Sequence, residues 1–417
     1  MSRRQRLAAD AELDDLLVSA QMMDDPYPIY DRLRRAPQPF WSPSWQAWIV
    51  SGYDEVAASL NDNLVLSNEG RQALLFDDLS AAERQKLAPL RHYFSQKDII
   101  GSDLPDHRWM RAIVQKAFTP RVVEGMTERI RSLVQEALST ARQDGPTFDF
   151  VARVAHPVPV TVIAEMLGAP SDDRHLFRRW SSDILGFQGT GRTSMDAALT
   201  AQTSLLEMFA YMTALVDERN ASPRDDLITT LARAEAEGQR LTRDQLLSTC
   251  NTLLTAGHET TTNLLGNLVH LLLLDPTAWA ELRNDRSLID PAIEEALRAE
   301  APKQRNFRRA MKTHQLGATT IYEGEMVFQL IGSANRDEAA FADADRFDIR
   351  RARGTHLSFG KGIHFCLGAP LARLEAHVVI ATVLDEMPDL RLDGRAVEWQ
   401  ERVQFRGPKA LWVRHAS

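Results

Sequence analysis

Cysteine is nearly missing from this chain: Cys250 and Cys366 are the two present in 417 residues. That count excludes a disulfide framework, a four-cysteine zinc site and a cysteine-held iron–sulfur cluster. Long hydrophobic runs are missing as well. The most apolar stretch, 264–274, is about half of a membrane span and contains Asn267 and His270, so no membrane anchor is expected. There is no excess of basic charge either. Lys+Arg at 49 against Asp+Glu at 57 gives a net −8, which argues against non-specific nucleic-acid binding. The first residues, Met1-Ser-Arg-Arg-Gln-Arg6, lead into a charged stretch with no signal-peptide core, so the expected compartment is the cytoplasm. Without internal repeats or low-complexity linkers, the expected organisation is one domain over 1–417, with the first ~24 residues flexible.

What is present is ordinary in bulk: 44% hydrophobic and 25% charged residues, enough to bury a core and a cofactor. One stretch stands apart, His356-Leu-Ser-Phe-Gly-Lys-Gly-Ile-His-Phe-Cys-Leu-Gly-Ala369. Glycines let a backbone approach a flat ligand closely, and a cysteine just before a helical pattern is biased toward thiolate. Such a cysteine suits a metal. Alone, it would equally read as a small buried hydrophobe. The spacing Phe359-x-x-Gly362-x-x-x-Cys366-x-Gly368 resembles the haem-binding loop of the cytochromes P450. The resemblance implies Cys366 as the thiolate ligand of haem b iron, with Phe359, Gly360, His364 and Gly368 as further haem contacts.

In chain order, Asp25-Pro-Tyr-Pro28 opens a helix with Ile29 and Leu33 on one face. A strand reads over 45–50, Ser51-Gly52 as its turn, and Asp54 as the cap of a short helix to Leu60. Residues from about 67 to 104 show no sustained periodicity, and such a segment is usually functional. Helix resumes over 105–118 with Asp106 as its cap, and places His107 and Arg111 on one face. Helical patterns follow over 122–144, 151–167, 171–185 and on to 218, interrupted at the glycine-containing 187–194 segment, which suggests a movable lid. A long helix spans 242–274. It aligns Thr252, Ala256 and Thr260 on one stripe, with Thr255 and Glu259 beside it. Ala256 and Gly257 leave room for a bulky planar ligand, and Glu259-Thr260 sets an acid beside a hydroxyl, able to relay protons. Glu295 and Arg298 pair at i, i+3 in another helix. Hairpins read over 318–331 and 403–413, and a helix continues past Cys366 through Val379.

The resemblance extends through these motifs and covers about 25–413. In bacterial cytochromes P450 an H-x-x-x-R helix sends both side chains to haem propionates, which implies that role for His107 and Arg111. Arg308 matches a further propionate ligand. A-G-x-E-T at 256–260 matches the oxygen-activating helix, with Thr260 and Glu259 as the catalytic pair and Ala256 and Gly257 against the haem. Glu295, Arg298 and Arg346 match a structural triad that holds the loop beneath the haem. Glu338, Ala342 and Ala344 stand where the family usually shows prolines, a departure that touches loop rigidity rather than ligation. The implied fold is mainly α with small β-sheets, the cytochrome P450 fold, a triangular prism with haem between two long helices.

The implied activity is that of a haem-thiolate monooxygenase acting with O2 on a small to medium, largely apolar organic substrate. A peroxide-driven enzyme or a gas-binding haem-thiolate protein would have the loop but not the acid–hydroxyl pair, so Glu259-Thr260 favours the reductase-dependent enzyme. With no reductase fused, electrons are expected from a separate ferredoxin or flavodoxin with an NAD(P)H-dependent reductase, delivered to a monomer over the Lys361 side of the loop. The family's pattern lines the pocket with Thr252, Thr255, Lys303, Gln304, Phe307, Gln404 and Phe405. Lys303 is unexpected, since an apolar residue usually follows the proline there (Pro302 here). It reads as solvated and pointing away, whereas an inward Lys303 would admit a polar or anionic group.

Overall fold

The computed structural model describes residues 10–76, 79–189, 194–352 and 354–415. Helices dominate, from Ala11–Leu16 to Ala369–Glu386, with small sheets between them. Two compact units emerge, each drawn from separated stretches of chain. One comprises Met1–Arg71, Asn263–Cys366 and Pro388–Ser417; the other comprises Gln72–Thr262 and Leu367–Met387.

The first unit is built on a five-stranded sheet ordered Phe40–Ser42, Ala47–Val50, Met326–Leu330, Arg305–Ala310 and Leu66–Ser67. Its inner strand Ala47–Val50 is buried at every position and runs parallel to Met326–Leu330; the other pairings are antiparallel. Alternation sends Ile49 to a cluster with Tyr30, Leu33 and Leu330, and Trp48 and Val50 to one with Val327 and Ile331. The expected flexible N-terminus is corrected from residue 10 onward. Asp10 and Ser19 cap helices Ala11–Leu16 and Ala20–Asp24, and Leu13, Leu17 and Met22 are buried. Residues 1–9 lie outside the described residues. Neither expected hairpin forms. Thr319–Ile321 pairs back to His314–Leu316 while Met326–Leu330 joins the main sheet, because the 322–325 turn, with Gly324 at φ +86°, redirects the chain. Pro408–Ala410 pairs with Glu398–Trp399, and Trp412–Arg414 with Arg391–Leu392.

In the second unit, helices Arg174–Gly189 and Met195–Ala221 pack on each other, and Thr127–Gln143 packs on Ala369–Glu386. Phe177, Trp180, Leu205, Met212, Ile163 and Leu254 share its core. The described residues of the 67–104 stretch hold a 3-10 helix, Arg71–Phe76, and two short α-helices, Ala81–Lys86 and Ala88–Ser95. Ala81–Lys86 starts on a reciprocal capping box between Ser80 and Glu83, but none of the three is long enough to show a period. Asp54 and Asp106 are not caps. Gly52 and Pro105 hold those positions, and both aspartates sit in the first turn, where a carboxylate complements the helix dipole. Of the expected lid, residues 190–193 lie outside the described residues.

Candidate active site

The 356–366 loop is closed by its own backbone. Gly360 N donates to Leu357 O at 2.8 Å, Phe365 N to Gly362 O at 3.1 Å, and Cys366 N to Phe359 O at 2.8 Å. Gly360 and Gly362 make this turn possible at φ +71° and +72°. Gly362 also abuts the neighbouring helix end: a Cβ there would stand 2.8 Å from Asn61 Oδ1 and 3.2 Å from Leu60 O. The Phe359 ring lies 5.8 Å from His356 and 6.3 Å from Phe365. His364 ends the short 3-10 turn Gly362–His364 and is half-buried. Cys366 is exposed and is in no disulfide among the described residues, and Phe365 beside it is exposed too. Arg308, on the sheet, is fully buried. Its Nη2 donates to Leu60 O at 3.0 Å and its Nη1 to Asn63 Oδ1 at 3.1 Å, which anchors it on the same 60–63 segment.

Beneath this loop the structural triad forms with a different third member. Arg298 Nε and Nη2 each donate to Glu295 at 2.8 Å, a bidentate pair buried on the Ile289–Ala299 helix. Glu295 also accepts from Arg351 Nε at 3.0 and 3.1 Å and from Asp348 N at 3.0 Å. Arg346, the expected third member, is exposed and contributes only its carbonyl, which accepts from Arg298 Nη2 and Arg351 Nη2 at 3.0 and 2.7 Å. A guanidinium five residues further along the loop has taken its place.

In the second unit the site residues lie on two helices and at the N-cap of a third. His107 and Arg111 share a face of Asp106–Gln115, His107 buried and Arg111 half-buried. Burial, and next the Arg111 charge, push the His107 imidazole down to about 4, so it is neutral at neutral pH. The long helix Arg243–Leu274 is buried along most of its middle, yet Ala256 is exposed and Gly257 and Thr260 are half-buried. A Cβ at Gly257 would stand 3.1 Å from Ile163 Cγ1, a tight contact to which that side chain would have to yield. Thr260 Oγ1 donates to Ala256 O at 3.1 Å, and Glu259 is buried. Gly368, at the N-cap of Ala369–Glu386, opens onto free space: a Cβ there would meet nothing within 4 Å.

Several residues assigned to the substrate pocket have other duties. Thr255 Oγ1 donates to Asn251 O at 2.6 Å within its helix, and Thr252 Oγ1 donates to the Asp98 carboxylate. Gln304 and Gln404 are buried and stitched together, Gln304 N donating to Gln404 O at 2.8 Å. Phe405 is buried and bridges Lys303 in antiparallel fashion. Phe307 packs 5.6 Å from Phe328 beneath the Arg71 guanidinium, 4.8 Å from its ring. Lys303 is partly buried, which corrects its reading as a solvated, outward residue.

Sequence reasoning missed Arg71, Asp98 and Arg351. The first two lie in the 67–104 stretch, where short elements give no periodic signal, and Arg351 is one of an adjacent arginine pair. A cleft of about 490 Å³ in the first unit, lined by Arg34, Tyr53, Asp54, Glu55, Asp337 and Phe341 among others, contains none of the residues assigned to chemistry.

The donor set fits a haem. The loop offers one soft, uncovered ligand, and the long helix presents small uncovered residues. No group of three His, Cys, Asp or Glu gathers among the described residues. The cytochrome P450 residue pattern matches 64–387, and the chain belongs to that family, with its fold and its monooxygenase chemistry. Cytochrome P450 107B1 of Saccharopolyspora erythraea is 38% identical over 88% of this chain and 89% of its own length. The cytochrome P450 monooxygenase PikC of Streptomyces venezuelae is 38% identical over 94% of this chain and 91% of its own. Among solved structures, CYP109Q5 from Chondromyces apiculatus superposes with a TM-score of 0.84 at 36% identity, covering 96% of this chain and 97% of that one. No helix among the described residues is long and apolar enough to cross a membrane.

Proposed function

We propose that the chain holds haem b through Cys366 and uses O2 to hydroxylate or epoxidise a small to medium, largely apolar organic molecule. Electrons come from a separate ferredoxin or flavodoxin and an NAD(P)H-dependent reductase, and the enzyme works as a cytoplasmic monomer. The observation that carries this reading is the exposed Cys366 thiol on a loop folded by its own hydrogen bonds. A bound haem with a thiolate ligand supplies O–O bond cleavage and oxygen insertion.

The chain's own groups supply the rest. Arg111 and Arg308 give permanent positive charge to the propionates, while neutral His107 contributes a hydrogen bond. Phe359, Gly360, His364 and Gly368 are the haem contacts around Cys366, and Ala256 and Gly257 are the small residues that the long helix offers the ring. With its proton held by Ala256 O, the Thr260 oxygen keeps its lone pairs for a donor in the cavity, and Glu259 feeds protons to that position. Glu295, Arg298 and Arg351 keep the loop in place.

The test is the ferrous carbon monoxide spectrum. Wild type should show the long-wavelength Soret band of thiolate ligation, and Cys366→Ser should lose it. Cys250→Ser should keep the band, because Cys250 is fully buried and its thiol is pushed up to about 12 by burial and by Asp226. The opposite pattern would discard Cys366 as the ligand.

A further inference from the structure

His356 opens the loop that ends at Cys366, and neither the iron-ligand assignment nor the Glu295 cluster makes use of it. Its side chain is 6% exposed, yet both ring nitrogens are engaged. Ser358 N donates to His356 Nδ1 at 3.2 Å, while His356 Nε2 stands 3.2 Å from Glu294 Oε2 on the Ile289–Ala299 helix. Because Nδ1 accepts, the ring proton is on Nε2 and points at the carboxylate. Glu294 thereby fixes the tautomer and leaves the Nδ1 lone pair to the backbone. A side chain that accepts from the N–H two residues on has the geometry of an Asx turn, which asparagine ordinarily makes.

That turn leads straight into the ligand loop. Leu357 N donates to Asn335 Oδ1 at 2.7 Å, and Ser358 Oγ donates to Leu297 O at 2.5 Å and accepts from Asn335 Nδ2 at 2.8 Å. Those bonds hold residue 357 and the Ser358 side chain, whereas the Ser358 N–H rests on His356. The next residue, Phe359, accepts at its carbonyl from Cys366 N at 2.8 Å. The direction of the 358–359 backbone is thus handed to the backbone of Cys366. The His356 ring also lies 5.8 Å from the Phe359 ring, so plain packing is the competing account of why a histidine stands there.

We infer that His356 is a positioning residue for the thiolate: its Nδ1, aimed by Glu294, holds the Ser358 N–H and, through the Phe359 carbonyl, keeps Cys366 in the orientation that ligates iron. The inference rests on the Cys366 reading and adds to it a side chain that acts through the backbone of the loop.

Three variants separate the two nitrogens from the packing. His356→Asn keeps an acceptor at the Nδ1 position and gives up the bond to Glu294, whose side chain is 34% exposed and can turn to water. His356→Gln places its amide at the Nε2 position, for Glu294, and leaves Ser358 N without its acceptor. His356→Phe keeps a ring against Phe359 and makes neither bond. For each haem-loaded protein, haem per chain is measured. The ferrous carbon monoxide complex is then followed in time as the long-wavelength Soret band gives way to the short-wavelength band of a lost thiolate. His356→Gln and His356→Phe should convert about tenfold faster than wild type or more, and His356→Asn should stay within about threefold, the scale on which one hydrogen bond acts. If the first two arrive already converted or without haem while His356→Asn keeps both, the result is the same. His356→Asn as damaged as the other two would overturn the inference. So would His356→Phe matching wild type, which makes packing the role, or His356→Gln matching it, which makes the Glu294 bond the one that counts. Haem-loaded wild type without the long-wavelength band removes the Cys366 reading itself. A wild-type band that persists equally in all three variants removes this inference alone.

Discussion

The Glu295 cluster offers a quantitative test of which arginine completes it. Glu295, Arg298 and Arg351 side chains are 4%, 3% and 15% exposed, so their attraction is little screened by solvent. Removing Glu295 leaves two neighbouring guanidinium groups facing each other without their carboxylate, at a cost of about 3–5 kcal/mol for a broken buried pair. That is a large part of the ~5–15 kcal/mol that holds a native protein together, so Glu295→Gln should accumulate poorly or lose haem. Arg351→Met leaves the Arg298 pair intact but removes the two bonds to Glu295 and those to Asp343 O, Arg346 O and Ala342 O. The expected loss is about 1.5–3 kcal/mol. Arg346→Ala keeps the one group that residue contributes, its carbonyl, and should change stability by no more than ~0.5 kcal/mol. Urea unfolding of the haem-loaded variants, followed by circular dichroism, with haem content per chain as a second reading, ranks the three. Equal damage from Arg346→Ala and Arg351→Met would refute the argument.

Two further outcomes follow from the site. Thr260→Ala removes a half-buried hydroxyl that donates to Ala256 O and holds nothing else, so haem loading should survive while NAD(P)H consumption uncouples from product and peroxide rises. Coupling equal to wild type, measured as product per NAD(P)H, would contradict the proton-delivery role. Lys361 is exposed at the N-cap of the loop's short turn, so Lys361→Glu should slow haem reduction by an acidic ferredoxin or flavodoxin, chiefly in the association step. The wild-type rate should fall with added salt, and a rate indifferent to both changes would rule out docking there.

Local signals in the sequence carried most of the fold. The long helix expected over 242–274 runs over Arg243–Leu274, and the loop spacing around Cys366 describes a turn that positive-φ glycines do form. What escaped were choices made at a distance. Nothing local distinguishes Arg346 from Arg351, because in an irregular loop no period says which guanidinium turns inward and which residue lends a carbonyl. The setting of Lys303 is decided by residues 404–406, about a hundred positions away, whose strand-like contact clamps 302–304. Arg71 opens a 3-10 helix of six residues, Arg71–Phe76, and Asp98 lies outside any helix or strand, so no helical stripe marks either; between them Ser80-x-x-Glu83 was a readable start signal for Ala81–Lys86 alone.

The interleaving of the two units bears on how such a chain can be recombined with its relatives. Chain membership changes after Arg71, after Thr262, after Cys366 and after Met387. A chimaera with a single breakpoint, wherever it falls, therefore cannot exchange one unit whole and leave the other untouched. The smallest transplant that does so moves two pieces together, 72–262 and 367–387. One of its seams cuts through the helix Arg243–Leu274, and another falls directly after Cys366. The proposed iron ligand and the helix that follows it would then come from different parents, so haem retention in the transplant would show how far the two sides of that seam are interchangeable between family members.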